Sequence, residues 1–195
     1  MWFREPAPAL FTDLYELTMA QAYWQRGMTA PATFSLFVRS YPPDRAYFVL
    51  ADVEDALQYL QDFRFTDDDV DFLRSLDRFD KEFIAVLGGL RFTGSVRAMA
   101  EGTIFFGDEP VIEVTAPVIE AQIVETFLLN QVNLQIVLAT KASRVVYAAR
   151  GKMVVDFSAR RTQGIDAAEK LARASYIAGF AGTSTLLASK VYGIP

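Results

Sequence analysis

The chain has 195 residues, 52% of them apolar, which predicts one domain or two small ones with a sizeable core. Its net charge of −5, from 19 basic and 24 acidic residues, argues against general nucleic-acid binding, which usually requires a basic face. With no cysteine and no histidine, the chain holds no disulfide, thiolate or histidine metal site, or histidine-dependent triad. Because we find no signal peptide and no apolar run of about 18 residues, we expect a cytoplasmic protein without a membrane span.

The first part of the chain predicts both helices and strands. "TDLYELTMAQAYWQRG" predicts a helix with Thr12 as N-cap and Gly27 just after its end. "ATFSLFVRS", which alternates around Phe34, and "AYFVLA" predict two strands. "DVEDALQYLQDF" and "TDDDVDFLRSL" predict two helices capped by Asp52 and Thr66, because both carry acids in the first turn, where the helix dipole favours them.

The middle of the chain changes character. "LRFTGSVRAMAEGTIFFGDEPVIEVTAP" contains short β-rich runs separated by glycine and proline, and it predicts three strands in an antiparallel meander. A helical pattern then covers residues 117–150, with Pro117 at the first helical position and a break predicted between Asn130 and Asn133. This segment is apolar on most sides, so we expect it to be buried centrally.

After Gly151 the pattern becomes β-α-β-α. "KMVVDFS" lacks polar alternation, as in a buried parallel strand, and "FAGTS" predicts a second, short strand. The helices are predicted in "GIDAAEKLARASYIAG" and "TLLASKVYG". The expected fold class is α/β, with an α+β N-terminal domain over 1–116, a helical connection over 117–150 and the start of a parallel α/β unit over 151–195. Since two parallel strands cannot be covered on both faces, we expect this last unit to be truncated.

Arg160 and Arg161 are the first candidates for chemistry, because ligands bind at the carboxyl ends of strands in parallel α/β folds. An arginine there offers a planar fork to a carboxylate or a phosphate. The alternative is a solvated loop or a pair of surface ion pairs. Strand alternation predicts Asp156, Ser158 and Arg160 on one face, with Phe157 and Arg161 on the other.

Two further features have a functional and a structural interpretation. In "AGTST", Gly182 allows a tight turn, and free backbone N–H groups with hydroxyls could bind an anion, although Ser or Thr before a helix is commonly only a cap. Tyr15 could stack on a ligand or pack in a core or interface. Neither a P-loop nor a G-x-G-x-x-G sequence is present.

Three segments in order carry a family resemblance: "FTDLYELTMAQAYWQRG", "RFTGSVRAMAEGTIFFGDEPVIEVTAPVIEAQIVET" and "DFSARRTQGIDAA…GFAGTST". Together they resemble nicotinate phosphoribosyltransferase from about residue 10 to the last residue. The resemblance implies formation of nicotinate mononucleotide from nicotinic acid and phosphoribosyl pyrophosphate, a glycosyl transfer coupled, as in a ligase, to ATP hydrolysis in NAD salvage. It also implies the N-terminal domain and the first two β-α units of an incomplete type II phosphoribosyltransferase barrel.

The resemblance further implies a head-to-tail homodimer in which each active site uses the partner's N-terminal tyrosine. Tyr15 matches this tyrosine, which packs on the pyridine ring, and Phe157 matches the aromatic residue on the opposite ring face. Arg160 matches the arginine that contacts the phosphoribosyl substrate, and Arg161 completes the "RR" of the nicotinate enzymes. Ser184 stands where the related nicotinamide enzyme has an aspartate, and serine favours nicotinic acid because it donates to a carboxylate.

Two departures from the family pattern accompany this resemblance. Thr185 replaces the asparagine of the usual "GTSN", and the chain is about half the length of family members or less. The resemblance places the histidine phosphorylated by ATP in a "GT-AHS" motif beyond Pro195. Mg²⁺ and ATP are therefore expected, with no catalytic residue or metal ligand identified in this chain. The alternatives are a nicotinamide or quinolinate phosphoribosyltransferase, or a non-catalytic binding or dimerisation fragment.

Overall fold

The computed structural model describes residues 9–195, which form two compact units of alternating segments. Unit one contains the described residues up to Leu36, Glu54–Arg97 and Ile112–Asn130. Unit two contains Phe37–Val53, Ala98–Val111 and Gln131–Pro195. The sequence had predicted consecutive domains with limits at residues 116 and 150. The α/β class itself agrees with the mixture of helices and strands.

The described helices and strands are numbered in chain order. They are α1 (Leu14–Gln25), β1 (Pro31–Leu36), β2 (Phe48–Val49), α2 (Val53–Asp62), α3 (Asp67–Ser75), α4 (Lys81–Gly89), β3 (Ser95–Ala98), β4 (Ile104–Phe105), β5 (Ile112–Pro117), α5 (Val118–Ile123), α6 (Glu125–Ala148), β6 (Val155–Asp156), a 3₁₀ turn (Ala159–Arg161), α7 (Ile165–Ile177), β7 (Gly182–Thr183) and α8 (Leu186–Tyr192).

The antiparallel meander predicted for the middle of the chain is wrong, because its three strands enter two different sheets. β5 lies between β1 and β3, and it runs antiparallel to β1 with Pro117 opposite Pro31. β4 instead pairs antiparallel with β2, with Phe105 opposite Phe48. Gly94 permits close strand contact, since a Cβ there would lie 2.4 Å from the Thr115 carbonyl oxygen.

Of the predicted helix caps, Thr66 agrees with the structure and Thr12 does not. Thr66 caps α3 as predicted, with a reciprocal capping box to Asp69. The N-cap of α1 is Asp13, whereas the Thr12 hydroxyl donates to Glu16 and to the Ile123 carbonyl oxygen.

Asp52 directly precedes α2, at the position predicted for its N-cap. Its φ is 86°, and its carboxylate accepts from the Gln135 amide. The N–H groups of Asp52 and Val53 both donate over 2.9 Å to Glu101, so a carboxylate from another part of unit two caps this helix.

The helical connection breaks at Val124, between α5 and α6, and the predicted break at Asn130–Asn133 is wrong. Both asparagines are exposed on α6, where they need no break in the helix to stay hydrated. Pro117 is the N-cap of α5, one position before the predicted one. Central burial also holds only in part, because Tyr147 near the end of α6 is 86% exposed.

The segment after Gly151 forms the predicted β-α-β-α succession. β6 and β7 pair in parallel, with Val155 opposite Gly182 and Asp156 opposite Thr183. The expectation of a fully buried strand is wrong, since Met153 and Phe157 are 81% and 65% exposed. In the described part of the chain this sheet has two strands, and strand side chains stay exposed where no further layer covers them.

Each unit has its own apolar core. In unit one, Leu60, Phe63 and Phe83 are almost completely buried. In unit two, Phe48 stacks on Phe105 with ring centroids 5.4 Å apart. The helix α4, which the sequence analysis did not predict, also contributes buried side chains to the first core. Of the helices described, none is long and apolar enough to cross a membrane.

Candidate functional site

The exits of β6 and β7, in unit two, are joined by the buried carboxylate of Asp156. Its Oδ2 accepts from the Thr183 hydroxyl at 2.8 Å, and its Oδ1 accepts from both the backbone N–H and the hydroxyl of Ser158. The Asp156 carbonyl oxygen accepts from the Ser184 N–H at 2.8 Å. These bonds fix the two strand exits relative to each other, a positioning role for Asp156 that the sequence analysis did not recognise.

Phe157 and Ser184 emerge side by side from these two exits. Both are exposed, and the hydrogen bond between Ser184 N–H and Asp156 carbonyl oxygen keeps their backbones adjacent. An aromatic face and a hydroxyl donor are therefore presented together at the carboxyl ends of parallel strands, where α/β folds bind ligands.

Arg160 and Arg161 follow in a 3₁₀ turn closed by the Arg161 N–H, which donates to the Ser158 carbonyl oxygen at 2.8 Å. Since the strand ends at Asp156, the predicted alternation of faces as far as Arg161 is wrong. Both arginines are exposed, and over residues 9–195 neither forms an ion pair. The alternative of intramolecular surface ion pairs thus finds no support, and both guanidinium groups can reach an anion.

The "AGTST" turn is shaped by its own backbone. The Thr183 hydroxyl accepts from the Thr185 N–H at 3.0 Å, and the Thr183 N–H donates to the Pro195 carbonyl oxygen at 2.8 Å. A Cβ on Gly182 would lie 2.3 Å from that same oxygen, so only glycine fits there. Thr185 is the N-cap of α8 but makes no side-chain cap bond.

Tyr15 lies on α1 in unit one and is 50% exposed. Its hydroxyl lies 3.3 Å from Glu16 Oε1 and 3.3 Å from Glu125 Oε1. Partial burial, together with the negative charges of Glu125 and Glu16, raises the pKa of Tyr15 to about 12. The phenol therefore stays protonated and donates to a carboxylate.

Glu16 is fully buried, and among residues 9–195 no lysine or arginine lies within ion-pair distance of it, which is unusual for a buried carboxylate. Thr126 donates to its Oε1 at 2.8 Å, and Thr12 donates to its Oε2. Burial raises the pKa of Glu16, helped by the charge of Glu125, whereas the hydroxyl donors oppose this rise. The sequence carried no signal for this cluster beyond a glutamate next to Tyr15.

The described residues do not assemble a metal site. Over residues 9–195 no three carboxylate side chains are grouped closely enough to hold a metal ion, and the sequence has no histidine or cysteine. The structure thus offers side chains suited to an aromatic, anionic ligand, and no metal ligands among the residues it describes.

The fold is an α/β fold whose parallel strand exits carry the exposed Phe157 ring and the Ser184 hydroxyl, followed by Arg160 and Arg161, which form no ion pair over residues 9–195. The model of the nicotinate phosphoribosyltransferase N-terminal domain matches residues 10–133. The chain belongs to the nicotinate phosphoribosyltransferase family, which confirms the resemblance seen in the sequence.

Individual relatives agree with this membership. The chain is 56% identical to nicotinate phosphoribosyltransferase pncB2 of Mycobacterium tuberculosis, over all of this chain and 42% of the relative. It is 42% identical to the Bacillus subtilis nicotinate phosphoribosyltransferase, over 99% of this chain and 40% of the relative. The crystal structure of human nicotinic acid phosphoribosyltransferase matches with a TM-score of 0.86 and 35% identity, over 94% of this chain and 38% of that one. The chain thus spans about two fifths of the length of these relatives.

Proposed function

We propose that this chain carries the pyridine-binding part of a nicotinate phosphoribosyltransferase. Such an enzyme forms nicotinate mononucleotide from nicotinic acid and phosphoribosyl pyrophosphate, in the salvage route to NAD. Beside the family membership, one observation supports the proposal most: Phe157 and Ser184 stand at adjacent strand exits, and Arg160 and Arg161, which form no ion pair over residues 9–195, follow within four residues of Phe157.

Each of these side chains suits a part of the two substrates. The exposed Phe157 ring offers a face on which a pyridine ring can stack. Ser184 can donate to the carboxylate of nicotinic acid, whereas an aspartate in its place would repel that group and accept from an amide. Arg160 and Arg161 can bind the phosphoribosyl substrate as planar forks. We therefore favour nicotinic acid over nicotinamide as the substrate.

Tyr15 would supply the second aromatic face, from a second copy of the chain. This arrangement makes the active unit a head-to-tail homodimer with shared sites. The half-exposed ring and the hydrogen-bonded hydroxyl of Tyr15 support such a role, because they leave a ring face available for stacking.

The reaction would then depend on positioning and electrostatics. The pyridine nitrogen attacks the anomeric carbon of the ribose, the bond from that carbon to the pyrophosphate oxygen breaks, and pyrophosphate leaves with the electron pair. No protein nucleophile is needed, since aromatic stacking sets the line of attack and arginines stabilise the anionic substrate.

ATP and Mg²⁺ belong to the proposal only as expectations from the family. The described residues fit neither Mg²⁺ binding nor phosphorylation by ATP. No metal ligands are grouped among them, and the sequence has no histidine to phosphorylate. We derive no step through them. A cytoplasmic location is also proposed, for which the absence of cysteine is the supporting observation.

The product of the native gene, assayed with phosphoribosyl pyrophosphate and three pyridines, tests the proposal. We expect turnover of nicotinic acid, and at least about tenfold lower kcat/KM for nicotinamide and quinolinate. Preferred turnover of quinolinate or nicotinamide would assign the chain to the related enzymes. No turnover of any of the three would favour a non-catalytic binding role.

A further inference from the structure

We propose that Glu125 is a positioning residue that, with Glu16, holds the ring of Tyr15 in the orientation required for stacking on the pyridine. This inference rests on the proposed function, because it takes Tyr15 to be the residue that contacts the pyridine ring. It assigns a role in nicotinic acid binding to a carboxylate that need not touch the substrate.

The geometry places two acceptors around one donor. The Tyr15 hydroxyl has a single proton and lies 3.3 Å from one oxygen of each carboxylate. Glu16 is the next residue on α1, whereas Glu125 is the first residue of α6 and lies 110 positions away in the chain. The tyrosine is thereby tied to a second helix as well as to its own.

Both carboxylates are themselves held in place. Glu16 is fully buried and accepts from the hydroxyls of Thr12 and Thr126. Glu125 Oε2 accepts from the amide of the buried Gln122 at 3.1 Å. A ring tied to two fixed acceptors loses less rotamer freedom when a ligand stacks on it, which is how preorganisation raises affinity.

The charges of this cluster explain which part of Tyr15 remains for a ligand. In the described part of the chain, neither Glu16 nor Glu125 has a lysine or arginine within ion-pair distance. The hydroxyl is therefore committed to a carboxylate, and its end of the ring is negative. A substrate carboxylate is repelled from that end, so the ring face is left for contact and the carboxylate of nicotinic acid points away.

A purely structural role for Glu125 is the competing explanation, since an acid in the first turn also stabilises a helix. The two explanations differ in coupling. A helix effect is independent of the Tyr15 hydroxyl, whereas positioning through this hydrogen bond disappears once the hydroxyl is gone.

The experiment is a double-mutant cycle in the product of the native gene, with Tyr15→Phe, Glu125→Ala and the combined variant. We expect each single change to raise the KM for nicotinic acid about fivefold, the size expected for the net contribution of a typical hydrogen bond. The KM for phosphoribosyl pyrophosphate should stay within about twofold of the wild-type value. The KM of the combined variant for nicotinic acid should not exceed the higher of the two single-variant values. Glu82→Ala is the matched control, because Glu82 is an exposed acid in the first turn of α4.

Additive effects, an equal rise in both KM values, or an unchanged KM for nicotinic acid would overturn the inference. Tyr15→Phe keeps the ring and tests the same hydrogen bond if Glu125→Ala lowers the yield of folded protein. Tyr15→Ala separates this inference from the proposed function. If Tyr15→Ala leaves the KM for nicotinic acid unchanged, the stacking role of Tyr15 fails. If it raises that KM about tenfold or more while Tyr15→Phe and Glu125→Ala do not, only the positioning role fails.

Discussion

Tyr15 in unit one and the pair Arg160 and Arg161 in unit two differ in which of their groups is free of hydrogen bonds and ion pairs within the described chain and can bind a ligand. The polar atom of Tyr15 is already hydrogen-bonded to carboxylates, so its ring face is what it can offer. Arg160 and Arg161 have no ion-pair partner over residues 9–195, so their charge is what they can offer. In the proposed enzyme, the first region would contribute a ring face for stacking and the second would contribute positive charge for an anionic substrate.

The largest effect is expected at Arg160, which forms no ion pair with the residues the structure describes. Arg160→Ala should lower kcat/KM for phosphoribosyl pyrophosphate about 100-fold, because a charged donor to the reacting anion is lost. Arg160→Lys should recover part of this loss, since it keeps the charge without the planar fork. Arg144→Ala, an exposed change on α6, is the control. If Arg160→Ala and Arg144→Ala had the same kcat/KM for phosphoribosyl pyrophosphate, Arg160 would not bind this substrate.

A somewhat smaller effect is expected at Ser184, where Ser184→Asp adds a negative charge next to the exit of β6. The KM for nicotinic acid should rise about 30-fold, since like charges brought together in a site cost several kcal/mol. The KM for nicotinamide should rise much less, because its amide can donate to the new carboxylate. Ser75→Asp, at the exposed end of α3, adds the same charge elsewhere. If both pyridines were affected equally, Ser184 would not determine specificity.

Loss of the Asp156 hydrogen bonds that join the two strand exits should lower the stability of the protein more than it changes its selectivity between pyridines. Asp156→Asn weakens a buried acceptor of three hydrogen bonds, and we expect the free energy of unfolding to fall by about 2 kcal/mol. Thr183→Val, which removes one donor to the same carboxylate, should cost about 1 kcal/mol. Chemical denaturation measures both, with Asp44→Asn in an exposed loop as control. An unaltered midpoint for Asp156→Asn would show that the strand exits hold together without it.

The smallest effect is expected from pH, and it has opposite signs in the two units. Burial raises the folded-state pKa of Glu16, so the folded state binds its proton first, and this group adds stability as pH falls through that pKa. Burial alone would raise the pKa of Glu101, but hydrogen bonds and the charge of Arg173, with the N–H groups of Val53 and Asp52, lower it. Its contribution is present above the unfolded pKa of about 4.3 and is lost as pH falls below it.

Glu16→Gln separates these two trends. As pH falls from neutral towards the unfolded pKa of about 4.3, the wild-type protein should gain stability relative to this variant, because its buried carboxylate near Glu125 and Tyr59 binds a proton before the unfolded chain does. Urea denaturation at a series of pH values provides the measurement. A constant difference between the two proteins would mean that Glu16 does not titrate in this range.

Local signals in the sequence were enough for several helices, but not for α4 or for the break at Val124. The cap at Thr66 and the parallel strand of Asp156 were predicted because their signals lie within a few residues. Glu125 was not connected to Tyr15, because a contact across 110 positions leaves no trace in local periodicity. The partition of β3, β4 and β5 between two sheets was missed for the same reason, since pairing depends on distant strands.

The bidentate pair between Arg173 and Glu101 has a consequence for the order in which the protein is made. Glu101 can cap α2 as soon as it leaves the ribosome, but its charge partner follows 72 residues later. The last segment of unit one ends at Asn130, whereas unit two includes residues 131–195. During synthesis the Glu101 carboxylate therefore lacks its arginine partner until residue 173 has been added, which makes this ion pair a late, long-range contact of the folding chain.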